Sequence, residues 1–150
     1  TRILCGSAPE ELARMQFQRL LMVTDPFFYE NGTAQTIAGN AGGQAVDYFH
    51  KVAPDPSVTL AAEGTALVQS FQPDAIVALG GGSTLDCAKA MVYFSNLNVD
   101  LIAIPTTSGT GSEVTCFAVI SNPDEGRKYP LAEEQLPCLV FMTLTRMALG

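Results

Sequence analysis

The sequence predicts an α/β protein built on a doubly wound parallel sheet, with a β-hairpin after the last parallel strand. Three features point there. Short apolar runs alternate with helix-compatible segments over short connections, the βαβαβα rhythm of a parallel sheet. One run, "DAIVALG" (74–80), is apolar almost without interruption, as a strand covered by helices on both faces must be. After Pro105 the rhythm breaks, and "CFAVISNPDEGRKYPL" reads as two strands around a turn at Asn122-Pro123-Asp124-Glu125-Gly126.

In chain order, "RLLMVTD" (19–25) is a short strand closed by an acid. "NGTAQTIAGNAGGQAVDYF" (31–49) opens on a turn dipeptide and continues in mostly helix-compatible residues, weakened by Gly39, Gly42 and Gly43. "YFHKV" is expected as the next strand. "PDPSVTLAAEGTALVQSF" offers Asp55 and Ser57 as caps, and Val58, Ala61, Ala62, Val68 and Phe71 fall at amphipathic-helix spacing. The strand at 74–80 leads into a helix from Ser83 to about Phe94, with Ser83 as its expected N-cap. "VDLIAIP" (99–105) is the strand after it.

At 150 residues the chain is one domain, long enough to bury a core. With 47% hydrophobic and 15% charged residues it is not a disordered chain. No apolar run approaches the roughly 18 residues of a membrane span, and "TRILCGSAPEEL" lacks the basic and apolar regions of a secretory signal. A net charge of −7 with scattered Lys and Arg argues against nucleic acid and anionic membranes as partners. The four cysteines, Cys5, Cys87, Cys116 and Cys138, form no CxxC pair, which suits reduced thiols in a cytoplasmic protein. The single histidine, His50, has no ligand cluster around it, so no metal centre is expected within the chain.

Two loops carry the chemistry. In "VALGGGSTLDCAKA", Gly80, Gly81 and Gly82 stand where a central strand passes into a helix. Backbone N–H groups and the helix dipole there favour an anion, and Ser83 adds a hydroxyl. A tight turn with close helix–strand packing also accounts for this stretch, which is not a G-x-G-x-x-G fingerprint. The second loop, "IPTTSGTGSEVT" (104–115), again follows a buried strand and brings Thr106, Thr107, Ser108, Thr110 and Ser112 between flexible glycines. Such a loop cannot stabilise a core, but it can wrap phosphate or ribose oxygens. Two loops of this kind on neighbouring strands face one crevice in an open α/β sheet.

The wording and order of these stretches resemble the N-terminal nucleotide-binding domain of the iron-containing alcohol dehydrogenase family. The resemblance runs from "TRILCGSAPEEL" through "LMVTD", "DAIVALGGGSTLDCAKA" and "LIAIPTTSGTGSEVT" to "GRKYPLA", nearly the whole chain. It implies a Rossmann-like fold that binds NAD(H) for hydride transfer to or from a small alcohol or aldehyde. Asp25 is implied to meet the adenosine ribose and to favour NAD over NADP. Gly81, Gly82 and Ser83 would hold the pyrophosphate, with Asp86 facing the cleft beside the cofactor. Thr106, Thr107 and Thr110 would line the cofactor, Val119 would pack near the nicotinamide, and Lys128 would reach in from the hairpin. A homo-oligomer is also compatible with the resemblance.

Departures accompany it. The family's metal, iron or zinc, is held by an Asp and three His of an all-helical C-terminal domain, and His50 matches none of them. That domain is expected to be absent, leaving this chain without catalytic residues of its own and inactive by itself. The 94–101 connection is short, Asp55 stands where Asn is common, and "QLPCLVFMTLTRMALG" follows the pattern only loosely. A nucleotide-binding module without catalysis, and a phosphosugar-binding or lyase domain on a similar sheet, are the alternative readings.

Overall fold

The structure, a computed structural model, describes residues 2–6, 8–132 and 139–142. A six-stranded sheet forms its centre: β1 (Arg2–Cys5), β2 (Arg19–Thr24), β3 (Ala45–Phe49), β4 (Ala75–Gly80), β5 (Asp100–Pro105) and, after an excursion, β8 (Leu139–Met142). The spatial order is β1-β8-β5-β4-β2-β3, and every pairing is parallel. The helices are α1 (Ala8–Ala13), α2 (Pro26–Glu30), α3 (Thr33–Asn40), α4 (Val58–Phe71) and α5 (Gly82–Ser95). A short 3-10 turn (Ser112–Val114) leads into the antiparallel hairpin of β6 (Phe117–Asn122) and β7 (Arg127–Ala132).

Strand side chains alternate between two apolar layers, as period-2 geometry demands. Leu20, Met22, Ala75, Val77, Leu79, Ile102 and Ile104 meet the α1 and α3 residues Leu12, Ala34 and Ile37 on one face. Leu21, Val23, Ile76, Ala78, Leu101 and Ala103 meet the α4 and α5 residues Val68, Leu85, Ala88 and Met91 on the other. Two-sided burial is why "AIVAL" and "LLMV" carry no polar alternation. A third, smaller cluster of Ala61, Ala90 and Ile120, with Leu131 against it, seats the hairpin on α4 and α5.

The parallel sheet and the hairpin form as the sequence predicts, but the hairpin precedes the last parallel strand, β8, rather than following it. Three local expectations also change. The 31–49 stretch is not one continuing segment. α3 stops at Asn40, Gly42 takes a left-handed φ of +68°, and β3 begins at Ala45 rather than in "YFHKV". Parallel pairing with β2, from Arg19↔Ala45 to Val23↔Phe49, outweighs the local preference. The N-cap of α5 is Gly81, not Ser83. Ser57 caps α4 by accepting the Leu60 N–H at 3.1 Å, while Asp55 takes a left-handed φ of 55° outside the helix. The chain also returns to the sheet after the hairpin, inserting β8 between β1 and β5. Cys138, expected as a reduced thiol, lies outside the described residues.

Candidate functional site

Strand order reverses at β2. β3 lies on its outer side and β4 on its inner side, so the carboxyl ends of β2 and β4 open a crevice at a topological switch point. Thr24 closes the floor there, its buried hydroxyl donating to the Leu79 carbonyl at 2.8 Å. Next in the chain, Asp25 is half-buried and caps α2, its Oδ1 accepting the Phe28 N–H at 3.1 Å.

Gly80 to Gly82 make the turn from β4 into α5. A Cβ on Gly80 would overlap the side chain of Thr84, which is buried. Gly81 and Gly82 are crowded from a different side, because the second loop lies directly over them. Cβ atoms there would stand 3.2 Å from Thr107 Oγ1 and 3.1 Å from Thr110 Cγ2 respectively. The Thr106 N–H donates to the Gly80 carbonyl at 3.0 Å, tying the start of that loop to the end of β4. No side chain caps α5. Its first-turn N–H groups, which no intrahelical carbonyl can accept, therefore face the crevice with the positive end of a 14-residue helix dipole.

One turn along α5, the Asp86 carboxylate meets the hairpin: Oδ2 accepts the Val119 N–H at 3.0 Å, while Oδ1 is buried without a hydrogen bond. Val119 itself is exposed on the outer face of β6. Lys128 lies on the hairpin, paired with Asp55 at 2.6 Å. Both side chains are more than half exposed, so the pair contributes only about 0–1 kcal/mol. Asp55 links three segments. Its N–H donates to Ser83 Oγ at 3.3 Å and its carbonyl accepts from Ser121 Oγ at 2.8 Å. Ser83 thus serves the β3–α4 connection rather than capping its own helix.

The fold therefore brings Gly81 to Thr107, Gly82 to Thr110, and Asp86 to Val119 in one region. Asp25 lies across the switch point at the end of the next strand, and Lys128 joins the region through Asp55 and Ser83. Sequence reasoning missed Lys89. Its side chain is 6% exposed and 4.0 Å from Asp86 Oδ1. Burial lowers its pKa, and the nearby Asp86, Cys116 and Glu113 oppose that shift. A lysine in the apolar "LDCAKAMV" face was the available signal, since lysine is almost never buried without acceptors. The neighbouring Cys87 thiol is pushed up to about 12 by burial and by Asp86. His50 stacks on Tyr29, ring centroids 3.8 Å apart. Among the described residues no three His, Cys, Asp or Glu side chains are grouped to hold a metal.

Sheet order, two-sided burial and the loop pair at the switch point define a Rossmann-like α/β domain. Comparison with known proteins carries this further: the family profile for iron-containing alcohol dehydrogenase matches residues 2–143, and the chain belongs to that family. It is 37% identical to 1-propanol dehydrogenase PduQ of Citrobacter freundii, over 91% of this chain and 38% of that protein's length. It is also 37% identical to the bifunctional aldehyde-alcohol dehydrogenase AdhE of Escherichia coli K12, over 87% of this chain and 18% of that one. Among solved structures, sulfoacetaldehyde reductase from Bifidobacterium kashiwanohense, in complex with NAD+, superposes with a TM-score of 0.83 at 29% identity. That match covers 94% of this chain and 44% of the reductase. An iron-containing alcohol dehydrogenase from Thermococcus thioreducens gives 0.82 at 28% identity, covering 95% of this chain and 45% of the other. The chain thus spans less than half the length of each of these relatives.

Proposed function

We propose that this chain binds NAD(H) in the crevice at the carboxyl ends of β2, β4 and β5. It would serve as the cofactor-binding part of a dehydrogenase acting on a small alcohol or aldehyde. The observation that carries the reading is the closure of the Thr106–Thr110 loop onto Gly81 and Gly82, beside an uncapped helix N-terminus. The hydroxyl-bearing Thr107 and Thr110 come over these glycines beside first-turn N–H groups that no helix carbonyl accepts. When bound, NADH would give a hydride to an aldehyde and NAD+ would accept one from an alcohol.

The chain's own residues bind and orient. Gly81, Gly82 and Ser83 hold the pyrophosphate through backbone N–H groups and the Ser83 hydroxyl, favoured by the helix dipole. Thr106, Thr107 and Thr110 offer hydroxyls along the cofactor. Asp25 accepts from the ribose 2′-hydroxyl and repels a 2′-phosphate, so NADH is preferred over NADPH. Asp86 faces the cleft beside the cofactor, one of its oxygens accepting the Val119 N–H, and Val119 packs near the nicotinamide end. Lys128 reaches the cofactor by exchanging its exposed Asp55 partner for a phosphate oxygen. No catalytic residue is assigned to this chain. A metal would belong to the portion of the relatives' length that the chain does not span. A cytoplasmic location is part of the proposal, in keeping with the unpaired Cys5, Cys87 and Cys116.

Titration with NADH, followed by nicotinamide fluorescence, tests the reading. Saturable binding that sugar phosphates fail to displace is expected. Displacement by sugar phosphates, or no NADH binding at all, would transfer the site to a phosphosugar ligand or remove it.

A further inference from the structure

Lys89 is the least accessible cation among the described residues, 7% exposed, and the cofactor reading gives it no task. Its ammonium points out of α5 into the end of the hydroxyl loop. It donates to the Ser112 carbonyl, to the Phe117 carbonyl at 2.9 Å and to Thr115 Oγ1 at 3.4 Å. These acceptors come from the 3-10 turn, the residue after it, and the first residue of β6. At its start the loop is tied to β4 through the Thr106 N–H and lies against Gly81 and Gly82; at its end Lys89 holds it. Residues 107–110 are exposed, and Gly109 and Gly111 take φ of +103° and +67°, conformations that impose no preferred path on the chain.

Burying an ammonium is expensive unless its donors are all satisfied, and an apolar side chain would pack α5 as well. What the ammonium adds is a fixed position for two loop carbonyls. One turn earlier, Asp86 fixes the Val119 N–H with its other carboxylate oxygen. Residues 86 and 89 together grip both sides of the entry into the hairpin.

We propose that Lys89 is a positioning residue: it clamps the 106–117 loop onto α5 in the conformation that receives the cofactor, without touching the cofactor itself. The proposal rests on the cofactor reading above. Two variants and two readouts test it. Lys89→Met keeps the apolar stem and removes the donors, whereas Lys89→Gln keeps an N–H donor without charge. NADH affinity is measured by titration. Loop closure is measured by the rate of cleavage after Glu113 with a glutamate-specific protease, using cleavage after Glu30 and Glu63 as the reference.

Lys89→Met should weaken NADH binding by about tenfold or more, the scale of a lost charge-assisted hydrogen bond. It should also speed cleavage at Glu113 alone, with Lys89→Gln intermediate in both measurements. A Met variant that binds NADH normally and stays protected at Glu113 overturns the proposal. So does equal acceleration at all three sites, which would make Lys89 a general stability residue. If the unaltered chain fails to bind NADH, the cofactor reading falls, while the Glu113 rate still decides the clamp.

Discussion

Replacing Asp25 separates cofactor choice from folding, provided the substitution respects the second task of the residue. Its carboxylate caps α2, so Asp25→Ala would remove an acceptor from Phe28 and cost about 1 kcal/mol of stability. Asp25→Ser keeps an oxygen in place for the cap and removes only the charge. At this half-exposed position the dielectric is close to that of water. One unit charge at about 5–6 Å then contributes roughly 0.75 kcal/mol. A 2′-phosphate carries about −1.5 to −2 charges, so relief of repulsion is worth roughly 1.5 kcal/mol, near tenfold in NADPH affinity. Loss of a charged acceptor for the 2′-hydroxyl should weaken NADH by up to about tenfold in the other direction. The preference ratio should therefore move by roughly one to two orders of magnitude. Both cofactors are titrated into both proteins at one ionic strength, because salt screens the repulsion. Thermal midpoints are taken on the same samples and should agree. An unchanged ratio with an unchanged midpoint would refute the placement of the ribose at Asp25.

Gly82→Ala should weaken NADH binding by about tenfold through the lost close approach of phosphate to backbone. A small fall in thermal midpoint should accompany it, since the new methyl must displace Thr110. Gly64→Ala should lower calorimetric stability by about 1–3 kcal/mol despite the gain in helix propensity, because a Cβ there would stand 2.5–2.8 Å from three Met91 atoms. Pairing it with Met91→Ala should cost less than the sum of the two single changes. The buried Cys87 thiol holds its proton in the folded state up to about 12, against an ordinary 9.0. Stability from this group is therefore complete below pH 9.0 and is lost as pH rises toward 12. Denaturant melts across that window should decline less steeply in Cys87→Ala.

The sequence alone determined whatever depends on local chemistry. "DAIVALG" and "LIAIP" read as buried strands because covering a strand on both faces removes every reason for polar alternation. Turn residues marked the hairpin, and two polar glycine-bearing loops after buried strands marked the crevice. Tertiary structure decided whatever depends on pairing and approach. β3 starts at Ala45 because β2 offers it a ladder, a contact between residues that no local window contains. Ser57 rather than Asp55 caps α4 because Asp55 is drawn off to Ser83, Ser121 and Lys128. Gly81 and Gly82 lie tight against Thr107 and Thr110, which arrive from another strand. Lys89 shows the limit most plainly. In the sequence it is one charge on an apolar helix face, and its meaning lies in the Ser112 and Phe117 carbonyls, more than 20 residues away, that only the folded chain brings to its ammonium.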